Sequence, residues 1–432
     1  MKKIIALLLA CVMVLGLFAA CTPAPADNTA TNPTAGGNTP AGPTADAPLE
    51  LTIRVWTPAE DQAEGNNWLD KMEKKFEAAH PEYKITWVNE SCSEGDAANN
   101  ITTDVTDAAD VYMFANDQLG RLITAGGLSK LGGAFADQVN NDNTEFYINT
   151  VTHTDGAVYA FPVTNNVWFT YYDKTVYTEE DVKSLDTMLE KGIVCLPVND
   201  AWNAGFVFLG CGGTVFGPAG NDAAAGINFG GENGYMAAEK MVSYSKLVQD
   251  GKAIAGGMDA GKLISGEADV IFSGSWSYAE LSAALGENLG VAQLPYFNIN
   301  GTDYPMTALG GTKCVGVNPS TSGAVAGKQR ACTEFAAFLA SEEGQLERYT
   351  MRNVIPSHKA LAENEAVKSN PVAVAEIATM NNNAVVQSAL TEMGNYWDPV
   401  ATFSKSVYNG DINETNFKES VDQLMVQLNP NA

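Results

Sequence analysis

The sequence predicts an α/β fold built as two lobes, and three observations carry that expectation. Strand-like and helix-like stretches alternate along most of the chain, and the alternation falls into two successive series. The roughly 385 residues after Pro48 exceed what a single hydrophobic core usually supports. In the first series, residues 51–56 (LTIRVW) alternate as a half-buried strand does. Leu69, Met72, Phe76 and Ala79 then recur at helical spacing, and residues 84–88 read as a second strand, which completes a β-α-β unit. A helix near 97–107, a strand at 111–114, a helix around 118–125 and short strands at 158–161 and 168–172 continue the pattern.

The second series comprises a helix at 182–191, a strand at 193–197, a long helix at 232–250, a strand at 269–272, a helix at 278–285 and a strand at 290–294. From Lys328 onward the chain reads as nearly all helix. Cys332, Phe335, Ala336 and Leu339 share one face there, and Phe417, Val421, Leu424 and Leu428 share another.

The first 21 residues place Lys2 and Lys3 ahead of an apolar run of about 17 residues, which ends at Ala19-Ala20-Cys21. Small residues before a cysteine form a cleavage signature, and the segment reads as a bacterial lipoprotein signal with Cys21 as the lipidated mature N-terminus. The rival reading is a secreted protein cut after Ala20. Residues 22–48 contain no aromatic residue and no Lys or Arg, so they form no core and read as an extended Thr/Pro/Ala/Gly spacer. The expected location is the outer face of the cell membrane, with the lipid as the membrane contact.

Net charge is -26, and loss of Lys2 and Lys3 with an acid-free leader takes it to -28. Nucleic acid is therefore excluded as a partner. Of seven cysteines, Cys11 leaves with the leader and Cys21 carries lipid. The remaining Cys92, Cys195, Cys211, Cys314 and Cys332 are odd in number and lack metal-like spacing, and most read as small buried residues. A Cys195–Cys211 bridge stays open.

Enzyme chemistry finds no support in motifs. There is no GxSxG or HExxH, and the three histidines (His80, His153, His358) are scattered, with His80 and His358 in structural contexts. With 51 acidic residues, a carboxylate pair at glycosidase separation would occur in any fold and carries no weight for a secreted glycoside hydrolase. The segment 256–262 (GGMDAGK) matches part of a phosphate loop, but Leu263 stands where Ser or Thr would hold magnesium. No metal and no cofactor is expected, and no repeats suggest an adhesin.

Five segments in order resemble the carbohydrate-binding proteins of ABC importers, the family that includes maltose-binding proteins. They are 110–131 (DVYMFANDQLGRLITAGGLSKL), 156–173 (GAVYAFPVTNNVWFTYYD), 265–278 (SGEADVIFSGSWSY), 308–318 (ALGGTKCVGVN), and 334–345 (EFAAFLASEEGQ) with VIPSH at 354–358. The resemblance implies a two-lobed periplasmic-binding-protein-like fold with a ligand cleft at its hinge. One lobe would comprise 49–164 plus 312–365 and the other 169–306 plus 370–432, with crossovers near 164–168, 307–312 and 366–370. It implies a monomer that closes on an oligosaccharide and delivers it to the permease subunits of an ABC transporter. A malto-oligosaccharide is first choice and a xylo- or β-linked oligosaccharide second.

Sugar chemistry supports this independently, because a pyranose needs flat aromatic platforms for its C–H faces and planar polar groups for its hydroxyls. Trp276 in a Gly-Ser turn, Trp397 beside Tyr396 in GNYWDP, and Trp202 in NDAWN stand in turn-like contexts among seven tryptophans, and the resemblance makes these three the expected platforms. Expected polar partners are Glu60 and Asp61 after the first strand, Asn116 and Asp117 after Phe114, Asn165 and Asn166 in the crossover, and Asp200 beside Trp202. Asp117 matches an acidic residue that the family uses against sugar hydroxyls. Three departures from maltose-binding proteins alter the edge chemistry: Gln118 stands in place of Arg, Asn166 in place of a carboxylate, and Ala401 in place of a basic residue.

Overall fold

In the computed structural model, which describes residues 47–65 and 67–430, two separate β-sheets organise the chain. The leader, Cys21 and nearly all of the spacer lie outside the described residues. Toward one edge of the first sheet, Leu49–Thr57 pairs in parallel with the edge strand Tyr83–Ser91 on one side and with Val111–Ala115 on the other. Its alternation sends Leu51, Ile53 and Val55 into the core. The connecting helix Trp68–Ala79 starts where Asn67 accepts a bond from Asp70 N at 2.9 Å, and it buries Leu69, Met72 and Phe76 as the spacing predicts. Ala79, in its last turn, is exposed.

The second sheet has the spatial order Leu289–Ala292, Phe169–Asp173, Val270–Ser273, Val194–Pro197, Ala253–Gly256. The chain passes from the first sheet to the second between Asn166 and Phe169, through Val167 and Trp168, which are both wholly buried. It returns after a hairpin, Tyr296–Ile299 with Thr302–Pro305, and enters the long strand Ala308–Val317. That strand lies antiparallel to both Val111–Ala115 and Phe161–Asn166. Gly311 is needed in it, because a Cβ there would lie 2.3 Å from Asn116 Oδ1.

Two elements depart from expectation. The strand expected at 158–161 is Phe161–Asn166, because Val158 makes only an isolated bridge to Thr152, whereas pairing with Ala308–Val317 runs on through Asn166. Beyond Lys328 the chain is not all helix: Ala384–Val386 is a short strand parallel to Ala308–Gly310, so part of the stretch 370–432 joins the first sheet. Three residues are too few to show a period.

The helices that follow divide between the sheets. Lys328–Leu339 packs on the first sheet and Pro371–Asn382 on the second, while Gly394–Tyr408 and Phe417–Leu428 pack on the long helix Gly231–Gln249. Cys195 and Cys211 are free and buried, with burial pushing their thiols up to about 11 and about 12. No described helix is long and apolar enough to cross a membrane.

Candidate functional site

Where the chain crosses between the sheets, a cleft of about 300 Å³ opens. Thr164, Asn165 and Asn166 form one wall, and the Ser275–Trp276 turn forms another. Glu60, Glu94, Lys313, Arg348 and Arg352 supply charge around it. A larger groove of about 750 Å³ lies near the C-terminus, bordered by Phe216, Asn228, Met425 and Val426, and none of the expected residues line it.

Trp276 is presented by a tightly built turn. Ser273 and Ser277 hydroxyls meet at 2.8 Å beneath it, and the Tyr171 hydroxyl donates to Gly274 O at 3.0 Å. The indole folds back over the turn so closely that a Cβ at Gly274 would stand 2.0 Å from the ring, which is why the sequence reads Gly-Ser-Trp. The indole itself is 51% exposed. A large aromatic held rigid yet open to solvent at the mouth of a cleft is placed to receive an apolar face.

Trp202 extends that surface, its ring centroid 6.0 Å from Trp276 and tilted by 32°. Asp200 sets its position by capping a short helix, accepting from Trp202 N at 2.7 Å, and is otherwise exposed. The helix that carries Trp397 packs against this short helix. Trp397 is half-buried and meets Tyr396 edge-on at 5.1 Å. Tyr396 has no exposed surface and turns inward under Gly205, so it supports the aromatic wall from behind rather than offering its ring to a ligand.

The polar candidates separate by exposure. Glu60 and Asn166 line the cleft, Glu60 exposed and Asn166 nearly buried. Asp117 is half-buried beside Lys313, and burial pushes its carboxyl up to about 6 against the opposing pull of Lys313 and a bond from Gln387. Asn116, expected at the ligand, is spent on the crossover: Oδ1 accepts from Thr312 N at 3.0 Å and Nδ2 donates to Gln387 O at 2.8 Å. Asp61 is likewise withdrawn, with no exposed surface and both oxygens held by Arg348.

Sequence reasoning missed the cationic side of the cleft. Arg348 donates from Nε and Nη2 to Asp61 at 3.1 and 2.8 Å and from Nη1 to Thr164 Oγ1 at 2.6 Å, while Arg352 pairs with the same Asp61. Burial alone would lower the pKa of Arg348, but Asp61 and Glu94 outweigh it and hold the guanidinium above its ordinary value. The available signal was an i, i+4 arginine pair in LERYTMR, within a chain that carries only 25 basic residues. Gln118 accepts from Ala98 N at 2.7 Å and donates to the carbonyls of Glu94 and Gly95, each at 2.8 Å. Its role is to fix the loop that carries Glu94.

Among the described residues, one His/Glu/Glu group, His80, Glu82 and Glu334, brings ligand atoms within 4.8 Å of one another, away from the cleft. Glu334 there is already taken by Tyr83 at 2.7 Å and by Arg330 at 2.8 Å.

The sequence profile described as bacterial extracellular solute-binding protein matches residues 71–375, more than half of the chain. The chain belongs to this family. It is therefore a solute-binding protein and not an enzyme. Its fold is that of maltodextrin-binding proteins: the MalE1 protein of L. casei BL23, solved without ligand, superposes with a TM-score of 0.80 at 25% identity, over 88% of this chain and 99% of that one. A protein solved with acarbose is 38% identical, with a TM-score of 0.81 over 88% of this chain and 99% of that one. In sequence, this solute-binding protein is also 25% identical over 335 residues to the galactooligosaccharide-binding protein of Bacillus subtilis (strain 168), covering 73% of this chain and 75% of that protein.

Proposed function

We propose that this protein captures a malto-oligosaccharide in the cleft between its two sheets and hands it to the permease of an ABC importer, while a lipid on Cys21 holds it at the outer face of the membrane. The observation that carries the reading is the exposed Trp276 ring set against Trp202 at the mouth of a cleft otherwise lined mostly by polar and charged side chains. The two neighbouring, mutually tilted indoles offer the C–H faces of successive sugar rings a platform, and Asn166, Glu60, Glu94 and Asp117 offer hydroxyl partners. Closure of two lobes about the crossovers would bury the sugar and present the permease with a distinct shape.

The relative solved with acarbose, at 38% identity, supports an α-glucan-like ligand. A second reading, a galacto-oligosaccharide, is favoured by the Bacillus subtilis relative. A thermal-shift panel of maltotriose, maltotetraose, galacto-, xylo- and cello-oligosaccharides separates them, because a ligand that binds only the folded state raises the melting temperature. Malto-oligosaccharides are expected to give the largest shift. A larger shift with galacto-oligosaccharides would install the second reading, and no shift with any sugar would remove both.

A further inference from the structure

Three buried polar atoms under the cleft have no partner in the folded chain: Nδ2 and Oδ1 of Asn165, and Oε2 of Glu376. Asn165 stands near the end of Phe161–Asn166, just before the chain leaves the first sheet. Its backbone is fixed there, with its N–H donating to Ile355 O at 3.0 Å and its Cα opposite Thr312. The residue is 4% exposed and forms part of two cavities. One is the cleft, shared with Ser275 and Trp276, and the other is a pocket of about 150 Å³ bordered by Phe146, Tyr147, His358 and Met380. Glu376 rises from the helix Pro371–Asn382 behind Ser275, and the Tyr147 hydroxyl lies beside the Asn165 amide without reaching hydrogen-bond geometry.

A carboxamide withheld from water and left without partners costs folding free energy, and such groups are rare in native proteins. Leucine has nearly the same branched shape, fits a buried strand position, and carries no such cost. Retaining Asn165 therefore makes sense where the amide gains partners in another state of the protein. Its chemistry specifies which partners. One plane holds an acceptor and a donor side by side, the complement of two adjacent hydroxyls of which one donates and one accepts.

We infer that Asn165 is a specificity-determining ligand contact, its amide kept free by the protein so that it can read a pair of adjacent hydroxyls on the sugar ring lying nearest the crossover. The inference rests on the oligosaccharide reading above. Placed at the crossover, the contact ties recognition to the segment about which the lobes would swing.

Asn165→Leu in the full chain tests this with two readouts, the melting temperature without sugar and the affinity for maltotriose by calorimetry. The expected result is a higher melting temperature together with at least a tenfold loss of affinity, because the substitution removes both the unpaired groups and the sugar contact. Asn165→Thr, which keeps one hydrogen-bonding atom, is expected to lie between the two and serves if the leucine variant does not fold. Unchanged affinity in either folded variant, or a lower melting temperature with Leu, would overturn the inference and make Asn165 an ordinary packed residue. Wild-type protein that binds neither maltotriose nor a galacto-oligosaccharide would instead sink the oligosaccharide reading, an outcome visible before any variant is made.

Discussion

Arg348 and Asp61, 287 residues apart in the chain, meet in a two-pronged ion pair inside the protein, with Arg348 only 2% exposed and Asp61 not at all. The pair joins the turn after the first strand to the helix Glu342–Arg352, and Thr164 at the crossover accepts from the same guanidinium. Trp68 lies against its other side, with the guanidinium carbon 5.4 Å from the ring centroid. One cation thus holds together three segments that border the cleft. Arg348→Met should destabilise the protein by about 3–5 kcal/mol, because it leaves Asp61 buried with Arg352 as its remaining cation. Urea denaturation measures this, and a loss below about 1 kcal/mol would show that the pair is merely tolerated.

The aromatic platform makes a prediction about binding rather than folding. Trp276→Ala should weaken oligosaccharide binding by about 2 kcal/mol, since large aromatic anchors carry much of the energy of such contacts. Trp202→Ala should cost less, and because the two rings touch, the double variant should depart from the sum of the singles by about 0.5 kcal/mol or more. Trp68→Ala is the control: that indole is fully buried and donates to Gly344 O at 3.0 Å, so its loss should lower stability. Calorimetry on folded variants decides between the roles, and wild-type affinity in Trp276→Ala would reduce that ring to surface decoration.

How much of this was legible in the sequence depends on the length scale of each signal. The β-α-β unit repeats a short period over enough residues to be read directly, several strands of the second sheet show as short apolar runs between helical stretches, and Trp276 stands out because a Gly-Ser turn has little other use for an indole. Arg348 and Asp61 carry no local mark of their partnership, because the fold alone brings them together. Asn116 and Tyr396 look from the sequence like their neighbours Asp117 and Trp397, and only the direction of each side chain turns them to the interior. Ala253–Gly256 and Ala384–Val386, of four and three residues, are defined by the strands they join and not by any pattern of their own.

Burial leaves one acid with a pH signature. Glu376 is 1% exposed behind Ser275, and desolvation pushes its carboxyl up to about 8 against the opposing pull of the Ser275 side chain, with Tyr147 and Tyr171 close by. Because the folded protein holds this proton more tightly than the unfolded chain, the contribution of Glu376 to stability is lost as pH rises from about 4.5 to about 8. Glu376→Gln keeps the shape without the proton. Its melting temperature relative to wild type should therefore climb from pH 5 to pH 8, and a constant difference across that range would mean that Glu376 is ionised throughout.

Anchoring is separable from binding if the spacer does what its composition suggests. Cys21→Ala should move the protein from the membrane fraction to the medium with its sugar affinity unchanged. Retention on membranes would contradict the lipoprotein reading.

Asp117 links protonation to recognition. Burial raises its carboxyl to about 6 in the protein without sugar, while Lys313 and a bond from Gln387 pull the other way. An ionised carboxylate accepts hydrogen bonds from sugar hydroxyls more strongly than a neutral one, so in the proposed site the charged form is the binding form. The sign follows: affinity should be full well above pH 6 and fall as pH drops through it, by about tenfold per pH unit at most for a single proton taken up. Asp117→Asn keeps the size of the side chain and cannot titrate. Its affinity at pH 7.5 should lie below that of wild type, and the two curves should converge toward pH 5. Parallel curves would show that Asp117 titrates without touching the ligand, and a wild-type affinity that rises toward low pH would mean that the protonated acid, donating its own hydrogen, is the partner the sugar prefers.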